Sequence, residues 1–259
     1  DLLPGLVVDR FGDHLSVQFN TAGMEALREP VLAALEKLLA PASILLRNDA
    51  SVRQLEGLPS EVECVLGQSP EDVELVENGV RFVAPLASGQ KTGWFYDQRP
   101  NRAWLRDIVK GKRVLDVFSY VGSFGVQAGA FGASEVWCND ASELALEKAH
   151  ENAALNGISD RFNTLHGDAF AALRQLKEDG QRFDVIVVDP PAFIKRKKDQ
   201  KEGIQAYRRI NELAMRLLEP GGYLLSGSCS MHMPREELLD IVRAASRHID
   251  RHAQILAEG

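Results

Sequence analysis

The stretch from residue 114 to residue 142 most constrains the fold, because it has the pattern of a strand, a loop, a helix and a second strand. An apolar run at residues 113–117 predicts a buried strand, and residues 135–139 predict the second one. Asp116 and Asp140 stand at or just beyond the carboxyl ends of these strands. In an open parallel sheet the carboxyl ends form the ligand-binding edge.

The loop after the first strand has the sequence DVFSYVGSFG, which lacks both G-x-G-x-x-G and the G-K-[ST] of a phosphate loop. A pyrophosphate is therefore not the expected ligand. Gly122 is predicted to let the backbone approach a ligand, and Asp140 suits a hydrogen bond to ribose hydroxyls. A nucleoside with a compact charged tail fits, and S-adenosylmethionine is the common one. Alternatively, Gly122 and Gly125 only permit a turn and close helix packing.

Composition narrows the class of protein. The chain has 259 residues, 45% of them hydrophobic and 26% charged, and it has neither an apolar run of membrane-spanning length nor a signal-peptide pattern. Three cysteines without C-x-x-C spacing argue against a disulfide framework or a zinc site, so a reducing cytoplasm is expected. The net charge of −7 means that a nucleic-acid partner would need a local basic patch.

Residues 1–85 predict a small α+β domain. Strands are expected at 6–9, 14–19, 44–47, 73–76 and 80–84, with a helix at 24–39. Asn78-Gly79 is the strongest hairpin signal in the chain. Cys64 is interpreted as a buried or idle thiol.

Residues 86–109 are interpreted as a linker and a leading helix, with Pro100 in the first turn and Asp97 as the cap. Gln98 and Arg99 are predicted to line the amino-acid end of a cofactor. The alternative is a helix cap with two solvated side chains.

From residue 110 to residue 259, strands and helices alternate regularly, which predicts an α/β domain with a doubly wound, mostly parallel sheet. Helices are expected at 143–156, 169–178 and 200–218, and strands at 161–165, 183–188 and 223–227, with a turn at 220–222 and one more strand before the chain ends. Polar groups fall at strand ends. They are Asp116, Asp140, Asp168, Asp189 and Cys229.

Several motifs together resemble class I S-adenosylmethionine-dependent methyltransferases. The acid-ended first strand, Asp140, HGDAF at residues 166–170 and DPPAF at residues 189–193 match their successive motifs. With QKTG at residues 90–93 and Ser228-Cys229-Ser230, the chain resembles more closely the ribosomal RNA large subunit methyltransferase I family, which makes 5-methylcytosine. Relative to that family, an amino-terminal PUA domain and the last strands are expected to be missing.

The resemblance implies a Rossmann-like fold and S-adenosylmethionine as cofactor. The residues predicted to contact the cofactor are Gln98, Arg99, Asp116, Phe118, Ser119, Tyr120, Gly122, Asp140, Ala141, Asp168, Ala169 and Asp189. Asp168 is expected near the adenine amine.

Methylation at cytosine carbon 5 requires a covalent step, because that carbon is a weak nucleophile until a thiolate adds at carbon 6. Cys229 is predicted to supply the thiolate, since it follows a core strand at the ligand edge. Cys138 lies inside a strand and is expected to serve packing. Asp189 is predicted to hydrogen-bond the cytosine ring from a protonated carboxyl group, with a strand-end cap as the alternative.

The predicted substrate contacts follow Asp189. Pro190, Pro191 and Phe193 would lie against a flipped base, and a basic cluster would contact RNA phosphates. We define the basic cluster as Lys195, Arg196, Lys197 and Lys198. Lys201, Arg208 and Arg209 follow it and are expected to contribute to the same phosphate contacts; a solvated loop is the alternative interpretation.

The expected partner is RNA, ribosomal by the resemblance, with neither a membrane nor a metal, and a homodimer is one of the assembly states allowed. Three other functions stay open. The chain could methylate a nucleobase nitrogen without a cysteine, bind S-adenosylmethionine without catalysis, or be a nucleotide-dependent oxidoreductase, which the missing glycine fingerprint disfavours.

Overall fold

The computed structural model describes residues 2–89 and 92–259, which divide into two compact units. The first unit runs to Glu77 and resumes over Arg81–Asp97, and the second comprises Asn78–Val80 and Gln98–Gly259. The division therefore falls inside the segment 86–109 that the sequence suggests as a linker. Gln90 and Lys91 of the QKTG motif lie outside the described residues.

The first unit is built around a four-stranded sheet with the order β1-β2-β3-β4. Strands β1 and β2 pair antiparallel, β2 and β3 parallel, and β3 and β4 antiparallel. Apolar side chains of β2 and β3 form its core with Met24 and α2. The elements are β1 (Leu6–Phe11), β2 (His14–Phe19), α1 (Ala22–Glu25), α2 (Arg28–Leu39), β3 (Ser43–Asn48), α3 (Val52–Leu55), β4 (Glu61–Gly67), β5 (Asp72–Glu77) and β6 (Val80–Pro85).

The strongest turn prediction is confirmed. Asn78 and Gly79 have φ angles of 53° and 83° between β5 and β6, the left-handed pair that a two-residue hairpin requires. The single helix expected over residues 24–39 is wrong, because the structure has two. Thr21 caps α1 by accepting a hydrogen bond from the Met24 amide, and α2 begins only at Arg28.

The second unit is a five-stranded parallel sheet with helices between its strands. Buried side chains of β7, β10, α7 and α8 form an apolar cluster of this unit. The elements are α4 (Arg99–Trp104), β7 (Arg113–Val117), α5 (Ser123–Ala130), β8 (Glu135–Asp140), α6 (Glu143–Leu155), β9 (Phe162–His166), α7 (Ala169–Glu178), β10 (Phe183–Val188), α8 (Gln200–Leu217), β11 (Leu218–Ser226) and α9 (Arg235–His248).

The strand order β11-β10-β7-β8-β9 reverses between β7 and β10. The chain runs outward from β7 through β8 to β9, then returns to the other side of β7 as β10. Ligands of open α/β sheets bind at such a switch point, outside the carboxyl ends of the strands. The predicted α/β fold is confirmed, and its crevice lies where β7 and β10 end.

Three local predictions in this unit are wrong. Gln98, not Asp97, occupies the N-cap position of α4, and it makes no capping hydrogen bond through its side chain. The turn at 220–222 lies inside β11, where the pairing with β10 jumps from Leu218 to Tyr223. In place of the strand expected near the chain end, α9 is followed by residues 251–259 without helix or strand.

Candidate active site

Asp116 is the buried acid at the carboxyl end of β7. Its side chain is 1% exposed, and its Oδ2 accepts a hydrogen bond of 2.8 Å from the Gly125 amide. The pKa of Asp116 is raised to about 7, mainly by burial; the Gly125 amide and Arg102 lower it, and the charges of Asp189 and Asp140 contribute to the increase. Asp140 and Asp189 therefore lie close enough to Asp116 for their charges to act on its carboxyl group.

The loop between β7 and α5 turns sharply. Phe118, Tyr120 and Gly122 have φ angles of 65°, 51° and 79°, a left-handed backbone that non-glycine residues rarely adopt. Asp140 holds this turn, because its Oδ2 accepts from the Tyr120 amide at 2.8 Å and its Oδ1 accepts from the Ser142 amide at 2.9 Å. Asp140, at the end of β8, thus holds the loop in place, and the same hydrogen bonds fix its own carboxylate.

The glycines of this loop are needed for packing. A Cβ atom at Gly122 would lie 3.0 Å from the Cβ of Ala149, and one at Gly125 would lie 2.3 Å from the Sγ of Cys138. The amide of Gly122 donates to the Ser119 carbonyl. The space beside Gly122 is therefore filled by α6, in line with the alternative of a turn and close helix packing.

Asp168 and its neighbours lie where β9 meets α7. Asp168 is exposed, and its Oδ1 caps α7 by accepting from the Ala171 amide at 3.0 Å. Ala169 is buried, whereas Ala141 is exposed and its carbonyl accepts from the His166 ring at 3.0 Å.

Asn139 ties β8 to the end of β9, and sequence reasoning missed it. Its Nδ2 donates to the carbonyls of Leu165 and Gly167 at 2.8 and 3.1 Å, and its side chain is 1% exposed. Its position beside Asp140 at a strand end was the available signal.

This edge fits the expected cofactor chemically. Among the described residues, the buried Oδ1 atoms of Asp116 and Asn139 have no hydrogen-bond partner. Buried acceptors without donors are costly, which favours a ligand that supplies donors. S-adenosylmethionine carries an ammonium group, ribose hydroxyls, an adenine amine and a sulfonium charge, so the acceptors at the ends of β7, β8 and β9 match it.

The predicted residues Gln98 and Arg99 are not brought into hydrogen-bond contact with the β7–α5 loop within the described part of the chain. Gln98 accepts from the Asn101 side chain at 2.9 Å, and Arg99 is exposed. Arg102, three residues later in α4, is instead 1% exposed, lies 5.6 Å from the centre of the Phe124 ring and acts on the charge of Asp116. The cationic residue of this helix that sequence reasoning missed is Arg102.

On the other side of the switch point, Cys229 lies beside the Asp-Pro-Pro loop. The Cys229 thiol is exposed and donates to the Pro190 carbonyl at 3.6 Å. Asp189 is anchored to β7 through its amide, which donates to the Val117 carbonyl at 3.4 Å. A Cβ atom at Gly227 would lie 2.9 Å from the Asp189 Oδ1, so this glycine leaves room for the carboxylate.

A buried tyrosine of α8 holds the residues on either side of Cys229. The Ser228 hydroxyl donates to the Tyr207 hydroxyl at 2.8 Å, and the Tyr207 and Ser230 hydroxyls lie 2.8 Å apart. The Ser230 amide donates to Ser228 Oγ at 3.2 Å, and the Ile194 amide donates to Ser230 Oγ at 3.1 Å. We call this group of hydrogen bonds the Tyr207 network.

Aromatic rings join the two sides of the crevice. The Phe193 ring centre lies 4.8 Å from that of Tyr207, 6.0 Å from that of Phe170 and 6.1 Å from that of Phe118. These separations are those of favourable tilted aromatic pairs. Phe193 therefore links the loop after β10 with the loop after β7. Pro190 is buried and Pro191 is exposed.

The other two cysteines differ from Cys229. Cys138 is fully buried in β8, and burial, followed by the charge of Asp116, raises the pKa of its thiol well above the ordinary value, as expected for a packing residue. Cys64 is exposed on β4, which excludes the buried one of the two interpretations, a buried or an idle thiol; its thiol donates to the Leu66 carbonyl at 3.3 Å.

The basic cluster is exposed along its whole length. The Arg196 guanidinium forms an ion pair of 3.0 Å with Asp199, and the three lysines have no ion pair among the described residues.

Across residues 2–89 and 92–259, no helix combines the length and apolarity needed to cross a bilayer. The same residues contain no group of three or more His, Cys, Asp or Glu side chains placed to hold a metal ion.

Comparisons with known proteins show the family to which the chain belongs. A family model described as S-adenosylmethionine-dependent methyltransferase matches residues 16–250. The chain is 43% identical to the ribosomal RNA large subunit methyltransferase I of Aeromonas salmonicida and 36% identical to that of Erwinia tasmaniensis. The first alignment covers 99% of the chain and 65% of the relative, the second 100% and 66%. The chain thus spans about two thirds of the length of these relatives.

Solved structures share the fold. SMU.776, a candidate methyltransferase complexed with SAH, matches with a TM-score of 0.81 at 22% identity, over 93% of this chain and 62% of its own. The tRNA m1G37 methyltransferase of M. jannaschii matches with a TM-score of 0.62 at 20% identity, over 86% of this chain and 62% of its own.

The resemblance inferred from the motifs is confirmed by these matches, as is the cofactor. The crevice at the strand ends is rich in hydrogen-bond acceptors, in keeping with the family model. The chain belongs to the S-adenosylmethionine-dependent methyltransferase family.

Proposed function

We propose that the protein transfers a methyl group from S-adenosylmethionine to carbon 5 of a cytosine in large-subunit ribosomal RNA, through a covalent adduct on Cys229. The observation that supports this most is the position of the Cys229 thiol. It is exposed, and it contacts the Pro190 carbonyl in the loop that carries Asp189. The RNA substrate is inferred from the names of the relatives.

In the proposed reaction, the Cys229 thiolate adds to carbon 6 of the cytosine, and the electron pair of the carbon 5–carbon 6 double bond moves toward carbon 5. When bound, S-adenosylmethionine supplies the methyl group that carbon 5 attacks. The methyl group leaves S-adenosylhomocysteine behind, the proton on carbon 5 passes to water, its bonding electrons restore the double bond, and the sulfur of Cys229 departs as a thiolate. Atoms and charge balance over the cycle, so Cys229 returns to its starting state.

Asp189 is proposed to hydrogen-bond the cytosine at N3 and the exocyclic amine. A protonated carboxyl group can donate to N3, and its second oxygen can accept from the amine, which stabilises the adduct. Pro190, Pro191 and Phe193 are proposed to lie against the base.

Asp140 is proposed to accept from the ribose hydroxyls of the cofactor, and Asp168 to lie near its adenine amine. Both Asp140 oxygens already accept one backbone amide, which fixes the carboxylate and leaves each oxygen a second lone pair. Asp116, Phe118, Ser119, Tyr120, Gly122, Ala141 and Ala169 complete the proposed cofactor site with Gln98 and Arg99.

The test is methyl transfer to unmethylated large-subunit ribosomal RNA by the wild-type protein and by Cys229→Ala, with Cys64→Ala as the control for loss of an exposed thiol. We expect 5-methylcytidine from the wild type and from Cys64→Ala, and none from Cys229→Ala. Undiminished transfer by Cys229→Ala to a base nitrogen would favour the nitrogen-methylating alternative. Cofactor binding without transfer to any RNA would favour the non-catalytic one.

A further inference from the structure

The Tyr207 network offers a role that the sequence motifs do not assign. Tyr207 and Ser230 are 0% and 6% exposed, so their polar groups have little access to water and must be satisfied by the protein. Since Ser228 donates its only hydroxyl proton to Tyr207, the phenol proton is free for Ser230. The Ser230 amide donates back to Ser228, which closes a ring around Cys229.

We propose that Tyr207 is a positioning residue that holds the Cys229 loop in the geometry needed for attack on carbon 6. The phenol bonds the residues on both sides of Cys229, and Ser230 in turn accepts from the Ile194 amide of the loop that carries Asp189. One buried hydroxyl group thus connects the proposed nucleophile with the proposed base-binding acid. The inference rests on the proposed function, because it concerns the orientation of Cys229.

The test is Tyr207→Phe, which keeps the ring packed against Phe193 and removes only the hydroxyl group. We expect kcat for transfer to unmethylated large-subunit ribosomal RNA to fall about 10- to 100-fold, the range for a misplaced reacting group, with KM for RNA and for S-adenosylmethionine unchanged. Tyr96→Phe is the matched control, because it removes a phenol that donates to the Arg10 carbonyl in the other unit.

Ser228→Ala breaks one side of the ring at a half-buried position and should lower kcat in the same direction by a smaller factor. A kcat within twofold of wild type in Tyr207→Phe would overturn the proposal. A parallel loss of affinity for S-adenosylhomocysteine would overturn it as well, since it would indicate general loosening of the fold. Failure of the proposed function is a separate result, namely full activity of Cys229→Ala.

A different set of observations points to an RNA-binding face. On α7, Phe170, Arg174 and Lys177 recur at helical spacing on one stripe, and on α8 Arg209 and Arg216 lie two turns apart. The Arg209 guanidinium lies 5.8 Å from the centre of the Phe170 ring, and that ring is 6.0 Å from the Phe193 ring. The two stripes therefore begin beside the proposed base pocket.

These four cations, which we call the α7–α8 cations, are Arg174, Lys177, Arg209 and Arg216. Other arginines do form ion pairs; those of Arg113 with Glu135 and of Arg208 with Glu212 are 2.6 and 2.9 Å long. No described carboxylate lies within ion-pair distance of the α7–α8 cations. Three of them line a hollow of about 300 Å³ with Glu178 and Leu213. Unpaired cations on a protein of net charge −7 indicate a polyanionic partner.

We infer that the α7–α8 cations bind phosphates of the RNA strand next to the target cytosine. Like the role of Tyr207, this inference rests on the proposed function. It assigns the RNA substrate to the surface formed by α7 and α8. Because α8 rises about 1.5 Å per residue, Arg209 and Arg216 are separated by roughly 10 Å along the helix axis, which leaves room for each to contact a different phosphate. The surface extends the substrate contacts beyond the basic cluster.

The test replaces Arg174, Lys177 and Arg216 together by Gln and measures binding of a single-stranded RNA over a range of salt concentrations. The slope of log affinity against log salt should become less steep by about 2, from roughly 0.7 for each lost phosphate contact. The charge-matched control replaces Lys37, Lys110 and Lys112 by Gln and should keep the wild-type slope.

Equal slopes for wild type and the helix variant would overturn the RNA-binding face, and so would a wild-type protein that binds no RNA. Neither result depends on which residue attacks the base. The nucleophile proposal fails separately, through the activity of Cys229→Ala.

Discussion

At the ends of β7, β8 and β9, carboxylates accept hydrogen bonds from backbone amides, whereas at the ends of β10 and β11 hydroxyl groups of three side chains bond one another. Asp116 and Asp140 accept from amides 9 and 20 residues away, in the first turn of α5 and in the loop before it, and Tyr207 reaches serines 21 and 23 residues away. The acceptors of the first side stand at the ends of their own strands, whereas the phenol of the second side comes from a helix. The second side depends on how α8 packs beside the end of β11. Its geometry should therefore respond to substitutions in α8, far from Cys229 in the sequence.

Among the acids at the strand ends, loss of Asp189 should give the largest effect, because this residue joins the two sides. Asp189→Ala removes the proton and hydrogen-bond support for the base, and turnover should fall about 10²- to 10⁴-fold. Affinity for S-adenosylhomocysteine, measured by calorimetry, should change far less. If Asp189→Ala lowered only the cofactor affinity, Asp189 would belong to the cofactor site at the ends of β7, β8 and β9, which we call the β7–β9 side, and not to the base pocket.

Asp116 should make the β7–β9 side sensitive to pH. Its folded-state pKa of about 7 lies above the ordinary value of 3.8, so between these values the folded state holds a proton that the unfolded chain has lost. Stability should therefore fall as pH rises from about 4 to about 7, by up to about 4 kcal/mol. Asp116→Asn should flatten this profile and make the protein more stable at pH 8, as measured by denaturant unfolding. An unchanged profile would contradict the burial argument.

Asp140 should affect the cofactor and leave the Tyr207 network unchanged. Asp140→Ala removes the acceptor for the ribose hydroxyls and should weaken S-adenosylhomocysteine binding by about 1.5–3 kcal/mol, the range for a charged hydrogen bond. Single-turnover methyl transfer at saturating S-adenosylmethionine should stay near the wild-type rate. Unchanged affinity would remove Asp140 from the cofactor site.

The smallest effect is expected from the basic cluster, which lies outside both sides. Replacing Lys195, Arg196, Lys197 and Lys198 by Gln should weaken RNA binding and flatten its salt dependence, because fewer counterions are released. Cofactor affinity should not change. If the salt slope stays at the wild-type value, these residues form a solvated loop.

The difference between the two sides also explains what the sequence could predict. The acids of the β7–β9 side follow their strands directly, so a local pattern predicts their place at the edge. Tyr207 reads as one buried residue of an amphipathic helix. Its contacts with Ser228 and Ser230 depend on how α8 packs and on where β11 ends. Neither can be predicted from the spacing of neighbouring residues in the sequence.

Errors of element prediction have similar causes. β4 has mostly exposed or half-buried residues at the edge of its sheet, so its charges hide the strand pattern. The packing of Gly122 against Ala149, on a helix further along the chain, is likewise a contact that local spacing does not predict. The helix α9 did carry a signal, because Leu238, Ile241 and Ala245 recur at helical spacing.

The central claim is that Cys229 forms the covalent bond to the base, and trapping tests it most directly. With RNA that carries 5-fluorocytidine, carbon 5 cannot lose its substituent as a proton after methyl transfer, so the sulfur cannot depart. The protein should become linked to RNA when S-adenosylmethionine is present, through a peptide that contains Ser228-Cys229-Ser230, and Cys229→Ala should not be trapped. A bond to Cys138 or Cys64, or trapping that persists in Cys229→Ala, would contradict the account.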